Sequence, residues 1–201
     1  ASEHPAIGRR ALIRPDAVRQ CSLPAGTDDR ESIGVIAGGP PVVKVAFGID
    51  ITKEELGDES VQVRQSGVVN NLAESEEEAF DMIRQFLSYL PDSVYDMPPY
   101  VEPGDERDRR DEYLKNAIPR DNKTVFDPRP ILESVLDKDS IFEIAPDFGA
   151  GRITVLARVN GYPVGVMIND SRVDGGATGM KEAEKAIRFI ELCDDAAIGQ
   201  V

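Results

Sequence analysis

Arg152-Ile153-Thr154-Val155-Leu156-Ala157-Arg158-Val159, then Asn160-Gly161, then Tyr162-Pro163-Val164-Gly165-Val166-Met167-Ile168 is the stretch on which the fold turns. Two apolar, β-branched runs flank an Asn-Gly pair, the two-residue signal of a tight β-hairpin. A glycine-rich loop, Gly175-Gly176-Ala177, follows it. It leads into a helix expected near Lys181 to Cys193, with Ala183, Ala186, Ile187 and Ile190 turned inward. Strand, strand, loop, helix is therefore the order of the last third.

Upstream, Asp127-Pro128 reads as a helix N-cap followed by proline in the first turn, and Ile131, Leu132, Val135 and Leu136 form the expected inward face. Before it, residues 92–125 carry Pro98-Pro99, Pro103-Gly104 and the charge-dense run from Asp105 to Glu112 with few apolar anchors. That composition marks an interdomain crossing. Ser75-Glu76-Glu77-Glu78 is a capping box, and Ala79, Phe80, Ile83, Phe86, Leu87 and Leu90 recur at helical spacing up to Pro91. Thr52-Lys53-Glu54-Glu55 has the same capping form, with a stop expected at Gly57. Val42 to Gly48 fits a short helix or a strand, because apolar runs this short do not separate the two. Ile33 to Ala37 reads as a buried strand ended by Gly38-Gly39-Pro40-Pro41.

The chain has 201 residues, 23 Lys+Arg against 37 Asp+Glu, and a net charge of −14. That charge repels phosphate backbones and anionic lipid, which argues against nucleic-acid and membrane-surface partners. No apolar run approaches the roughly 20 residues a spanning helix needs. A secretory h-region is not evident at the N-terminus, so a cytoplasmic location is expected. Two cysteines, Cys21 and Cys193, are too few for a disulfide framework, and one histidine, His4, makes a histidine metal site or triad hard to build. Cys193 falls on the buried side of its helix and reads as core. No side chain stands out as a catalytic acid, base or nucleophile. Two glycine segments remain as candidate anion or oxyanion binders, Gly38-Gly39-Pro40 after a strand and Gly175-Gly176-Ala177 before a helix, although most such loops are only turns. Met180-Lys181 lacks the flanks of a biotinyl-lysine site, and Lys181 reads as a solvated helix lysine.

Three segments resemble the carboxyltransferase (β) subunit of biotin-dependent acyl-CoA carboxylases and the related transcarboxylase. They are Ala37 to Lys44 continuing to Glu54-Glu55-Leu56-Gly57; Ser66-Gly67-Val68 with the helix from Glu74 to Pro91; and Phe126-Asp127-Pro128-Arg129 through Ala157–Gly165 to Arg188-Phe189-Ile190-Glu191-Leu192-Cys193-Asp194. The resemblance implies an α/β, crotonase-like (ClpP/crotonase) β-β-α superhelix with parts of two related domains. Residues 1–91 would end the N-terminal carboxyltransferase domain, 92–125 would be the acidic linker, and 126–201 would start the C-terminal one. It implies transfer of a carboxyl group from carboxybiotin to the α-carbon, or the vinylogous position, of an acyl-CoA. The enolate formed would be stabilised by backbone oxyanion holes, so no side-chain nucleophile is required. Biotin would come from a biotin carboxylase or biotin carboxyl carrier partner, and the subunit would be a homo-oligomer, a hexamer by the resemblance. Its compartment would be the cytoplasm, or the mitochondrial matrix in a eukaryote. By the same resemblance Gly38, Gly39 and Pro40 lie on the acyl-CoA side and Gly175, Gly176 and Ala177 on the biotin side. The chain departs from the family at Cys21 to Asp28, where paired glycines are missing, and in lacking the later "GGAY" segment. Two alternatives stand beside this reading: another crotonase-like acyl-CoA enzyme such as a decarboxylase, or, given those departures, a truncated, catalytically silent assembly subunit.

Overall fold

A computed structural model describes residues 11–13, 39–52, 55–56, 60–93, 95–106, 108–121 and 123–200. The strand expected at Ile33–Ala37, the stop at Gly57, and Gly38, Cys21 and His4 lie outside the described residues. The chain divides into two units, Ala1–Ile83 and Arg84–Val201.

In the first unit, β1 (Ala11–Ile13) pairs antiparallel with β2 (Asn71–Ala73), Leu12 opposite Leu72. Helix α1 (Pro40–Phe47) resolves the ambiguity of Val42–Gly48 in favour of helix. Pro40 and Pro41 suit its first turn, where no N–H is needed, and Gly48 ends it in the left-handed region at φ 70° with its N–H on the Lys44 carbonyl. The helix buries no residue, and Val45 and Phe47 are exposed. Local signals rather than packing define it. The Thr52 capping box forms in both directions: Glu55 N–H donates to Thr52 Oγ1 at 3.1 Å, and Thr52 N–H donates to Glu55 Oε2 at 2.9 Å. Helix α2 (Glu76–Leu87), whose last turn belongs to the second unit, begins with Ser75 Oγ accepting the Glu78 N–H. Its Glu78 carboxylate reaches one residue further back than expected, to the Glu74 N–H at 2.7 Å. Ala79 and Phe86 are buried, whereas Phe80 and Leu87, expected inward, are exposed. Helix geometry allows only one narrow stripe to face the protein, and these two lie at its flank.

The second unit is built on a four-stranded sheet, β3 (Phe142–Glu143), β4 (Arg152–Val159), β5 (Tyr162–Asn169) and β6 (Gly199–Gln200), in spatial order β3-β4-β5-β6. The hairpin forms as read: Val159 lies opposite Tyr162, and Asn160 and Gly161 both have positive φ, 51° and 83°, the type I′ turn whose twist matches the strands. The Asp137 carboxylate accepts both turn amides, Asn160 N–H at 2.9 Å and Gly161 N–H at 2.7 Å. Helix α3 (Arg129–Val135) covers one sheet face, with Leu132 and Leu136 packed on Ile153, Val155 and Ala157. Its N-cap is Pro128, one residue later than expected, and Asp127 just before it accepts the Arg129 N–H at 3.0 Å. Val135, expected inward, is exposed. Arg109 closes the far end, its Nη2 donating to the carbonyls of Glu133, Ser134 and Leu136.

Helix α4 (Met180–Asp195) follows the hairpin, and β6 then returns parallel to β5. Strand, strand, helix and a parallel return strand is the β-β-α unit expected. Its inward stripe differs from the expected one: Lys185, Phe189 and Cys193 are buried, whereas Ala183, Ile187 and Ile190 are exposed. The reason is steric. Gly165 on β5 has no side chain, and a Cβ there would meet Cys193 Sγ at 2.5 Å and the Phe189 ring at 3.2 Å. That gap admits the stripe at positions 185, 189 and 193, spaced four apart along one face. In 92–125, Ala117 is the one buried residue among those described. The segment is tied to the hairpin by Val101 N–H on the Gly161 carbonyl and by Arg158 on the Pro99 carbonyl. No helix among the described residues is long and apolar enough to cross a membrane.

Candidate functional site

The two glycine segments fall in different units. Gly39 is the N-cap of α1, with extended backbone, and its carbonyl accepts the Val42 N–H. Pro40 and Pro41 carry no N–H, so among the described residues Gly39 is the amide this segment has to offer before Val42.

The Gly175 loop sits between β5 and α4. Asp174, Gly175 and Gly176 form a single tight turn, with positive φ at all three: 47°, 67° and 79°. The Gly176 N–H donates to the Val173 carbonyl at 2.8 Å and the Ala177 N–H to the Asp174 carbonyl at 3.2 Å. Two of the three candidate amides are thus engaged in closing the turn. Three side chains from the rigid scaffold hold the loop. Asn169 Nδ2 donates to the Gly176 carbonyl at 3.1 Å, Arg152 Nη2 donates to Thr178 Oγ1 at 2.9 Å, and Glu182 Oε2 accepts the Gly179 N–H at 3.1 Å. Space around the glycines is open. A Cβ at Gly175 would meet nothing within 4 Å, and one at Gly176 nothing nearer than 3.6 Å.

Beside the loop runs a charged network that patterning alone did not single out. Arg129, at the start of α3, grips Glu143 with two hydrogen bonds, Nε to Oε2 at 3.0 Å and Nη2 to Oε1 at 2.7 Å, and reaches Asp170 at 3.2 Å. Arg172 meets Asp170 at 2.7 Å and Asp127 at 2.5 Å. Asp170 is 2% exposed. Hydrogen bonds from Arg172 chiefly hold its carboxyl below the usual range, against a desolvation that pushes the other way. The hydrogen bond to Glu143 chiefly raises the Arg129 guanidinium, which stays charged. Lys185 is 3% exposed, and its Nζ has no hydrogen-bond partner. Burial lowers its pKa to about 8. Cys193, fully buried, is pushed up to about 11 by burial, which suits packing rather than nucleophilic attack. Asp127-Pro128-Arg129 was visible as a helix start, but its partners lie up to 45 residues away. Lys185 was hidden for the opposite reason: a lysine in an amphipathic helix is ordinarily assigned to the solvent face.

This arrangement offers glycine backbone of unusual conformation, open on one side and anchored on the other, next to a buried ionic network. Comparisons give it a family. The carboxyl transferase domain matches residues 28–199. The chain is 34% identical over 188 residues to the carboxyltransferase subunit of propionyl-CoA carboxylase from Haloferax mediterranei, covering 92% of this chain and 36% of that protein. It is 31% identical over 156 residues to the alpha subunit of methylmalonyl-CoA decarboxylase from Veillonella parvula, covering 78% of this chain and 31% of that one. The solved structure of transcarboxylase 12S, a hexamer with methylmalonyl-coenzyme A bound, superposes with a TM-score of 0.77 at 28% identity over 83% of this chain and 32% of its own. The chain therefore spans about a third of the length of these relatives. The crotonase-like α/β reading holds, and the chain belongs to the carboxyl transferase domain family.

Proposed function

We propose that this chain is part of a carboxyltransferase that moves a carboxyl group between carboxybiotin and the α-carbon, or vinylogous position, of an acyl-CoA. The match of the carboxyl transferase domain over residues 28–199 carries the reading. In this reading, residues 1–91 belong to the acyl-CoA-side domain, 92–125 to the crossing and 126–201 to the biotin-side domain.

The chemistry needs a negative charge to be held twice, on a thioester enolate and on a ureido oxygen, and preorganised backbone dipoles serve that purpose. The Gly175-Gly176-Ala177 segment fits a bulky ring-bearing group because nothing crowds its glycines. Biotin, delivered on a carrier partner, supplies the carboxyl group. Gly175 and Gly176 permit the peptide rotation that turns an amide from the turn carbonyl to a ligand oxygen, since glycine crosses between positive and negative φ freely. Arg152, Glu182 and Asn169 keep the loop's flanks fixed while it does so. Gly39 and Pro40, with Gly38 before them, are assigned to the acyl-CoA side. The enzyme acts as a homo-oligomer in the cytoplasm, or in the matrix of a mitochondrion.

The test is Gly176→Val. Its Cβ has room, but φ 79° is a region that a β-branched residue avoids, so the loop must change shape while the sheet and α4 persist. Carboxyl transfer from carboxybiotin to propionyl-CoA is expected to fall by roughly a hundredfold or more, the scale of losing one oxyanion donor, with an unaltered oligomer on size-exclusion chromatography. An unchanged transfer rate refutes the assignment. The likeness to a decarboxylase subunit supports a second reading, in which carboxyl leaves the acyl-CoA for biotin and is then released. Running the assay in both directions separates the two.

A further inference from the structure

Helix α4 and strand β4 run alongside each other in the same sense. At one end a Cβ on Gly151 would lie 3.4 Å from the Glu182 side chain; further along, Gly165, the register partner of Leu156, abuts Phe189 and Cys193. Lys185 lies between these contacts, over the part of β4 that holds Arg152 and Thr154. Those two residues share the sheet face opposite to Ile153 and Val155, which pack against α3. The Lys185 ammonium and Arg152 Nε both sit inside the protein without an acceptor. Arg152 Nη2 donates to Thr178, while its Nε–H is buried without a partner.

Four charged groups act electrostatically on Lys185: Glu143 from β3, Arg129 from α3, Arg152 from β4 and Glu182 from its own helix. Both carboxylates are engaged elsewhere, Glu143 by the two hydrogen bonds from Arg129 and Glu182 by the Gly179 amide. Asp170, the next carboxylate outward, is taken by Arg172 and Arg129. With Lys185, the inner set is three cations to two carboxylates. Buried donors that carry charge require an acceptor. A water there must find acceptors for its own two hydrogens, whereas a carboxylate group accepts only and bicarbonate has a single hydrogen to place.

We propose that the Lys185 ammonium and the Arg152 Nε–H bind one small oxyanion of the carboxylate class at the foot of the Gly175–Thr178 loop. The site is separate from the Gly175–Gly176 turn proposed for biotin, and its ligand is neither acyl-CoA nor biotin. It places a bound anion between the helix that follows the loop and the strand that anchors it, so occupancy stiffens the loop through Arg152 and Thr178.

The test is calorimetric titration of the full chain near neutral pH with sodium bicarbonate and, separately, sodium acetate, with chloride matching ionic strength and no acyl-CoA or biotin present. Saturable one-to-one binding of either is expected. Bicarbonate alone assigns the site to inorganic carbonate, and both together assign it to carboxylates generally. Affinity should weaken roughly tenfold or more in Lys185→Met and in Arg152→Lys, which keeps the charge but removes Nε. In the unaltered chain it should weaken by about tenfold per pH unit once the pH passes the ammonium's pKa of about 8. Absence of saturable binding, or binding that neither variant nor pH weakens, overturns the proposal. The pH series needs no variant to fold. Failure here leaves the carboxyl-transfer assay untouched, so the two readings fall separately.

Discussion

Gly165→Ala tests the packing of α4 on the hairpin. The added Cβ would lie 2.5 Å from Cys193 Sγ and 3.2 Å from two atoms of the Phe189 ring, and both side chains are buried. A sulfur cannot be approached so closely, so the helix must rise or Phe189 must leave its rotamer. Overpacking of this kind costs about 1–3 kcal/mol. The loss of backbone freedom in the unfolded chain returns about 0.4–1 kcal/mol, leaving a net destabilisation of about 1–2 kcal/mol. Cys193→Ala removes the sulfur that the new methyl strikes and costs about 1 kcal/mol on its own, as a small buried group lost. In the double variant the methyl occupies the volume the sulfur vacated. Stability should then be about 1–2 kcal/mol better than the sum of the single changes, a coupling well outside the few tenths expected of independent sites. Urea unfolding followed by far-UV circular dichroism suits the measurement, since the chain has no tryptophan. Additive effects within about 0.5 kcal/mol would refute the packing account, as would a Gly165→Ala variant as stable as the parent.

Three further outcomes follow from the same structure. Lys185 has a folded pKa of about 8 against an ordinary 10.5, so the folded state binds fewer protons and stability rises as pH climbs from about 8 to about 10.5. In an oxyanion-free buffer, Lys185→Met should therefore be more stable than the parent at neutral pH, by up to about 3 kcal/mol, with the gap closing by about pH 10.5; a gap that does not shrink with pH contradicts the buried-ammonium reading. Asp170 has its carboxyl held low by Arg172, so its contribution is complete above the unfolded carboxylate pKa and is lost as pH falls through the lower folded value. Asp170→Asn should cost about 2 kcal/mol at neutral pH, less than a fully buried pair because Arg172 is partly exposed, and acid titration of the melting temperature should show the two proteins converging at the acid end. Asp137→Ala leaves the Asn160 and Gly161 amides without their carboxylate and should lower stability by about 1–2 kcal/mol; amide exchange at both residues should quicken, and unchanged exchange at either would contradict the assigned contacts.

What could be read from the residues was set by how local the governing physics is. The Asn160-Gly161 turn, the Thr52 capping box and the Ser75 half of the second box depend on neighbours within a few positions, and each forms, while the N-cap expected at Asp127 falls one residue later, at Pro128. The inward face of α4 did not follow from apolar periodicity, because the deciding contact is a glycine on another strand. Gly165 leaves the room that draws Phe189 and Cys193 in, turning Ile187 and Ile190 outward. The ionic network was illegible for the same reason: Arg129 and Asp170 are 41 residues apart, and only the sheet brings them together. The Gly175 loop was legible as a loop, but not the commitment of its Gly176 and Ala177 amides to the turn. That detail makes rotation of the loop part of the proposed chemistry.

The most direct measurement of the central claim follows the carboxyl group itself. The protein carrying this chain is incubated with methylmalonyl-CoA labelled in its transferable carboxyl and with biotin on its carrier. The account predicts that label appears on biotin while propionyl-CoA accumulates in equal amount, and that Gly176→Val abolishes both. Label that stays on the acyl-CoA, or that leaves as carbon dioxide at the same rate with biotin omitted, would contradict it.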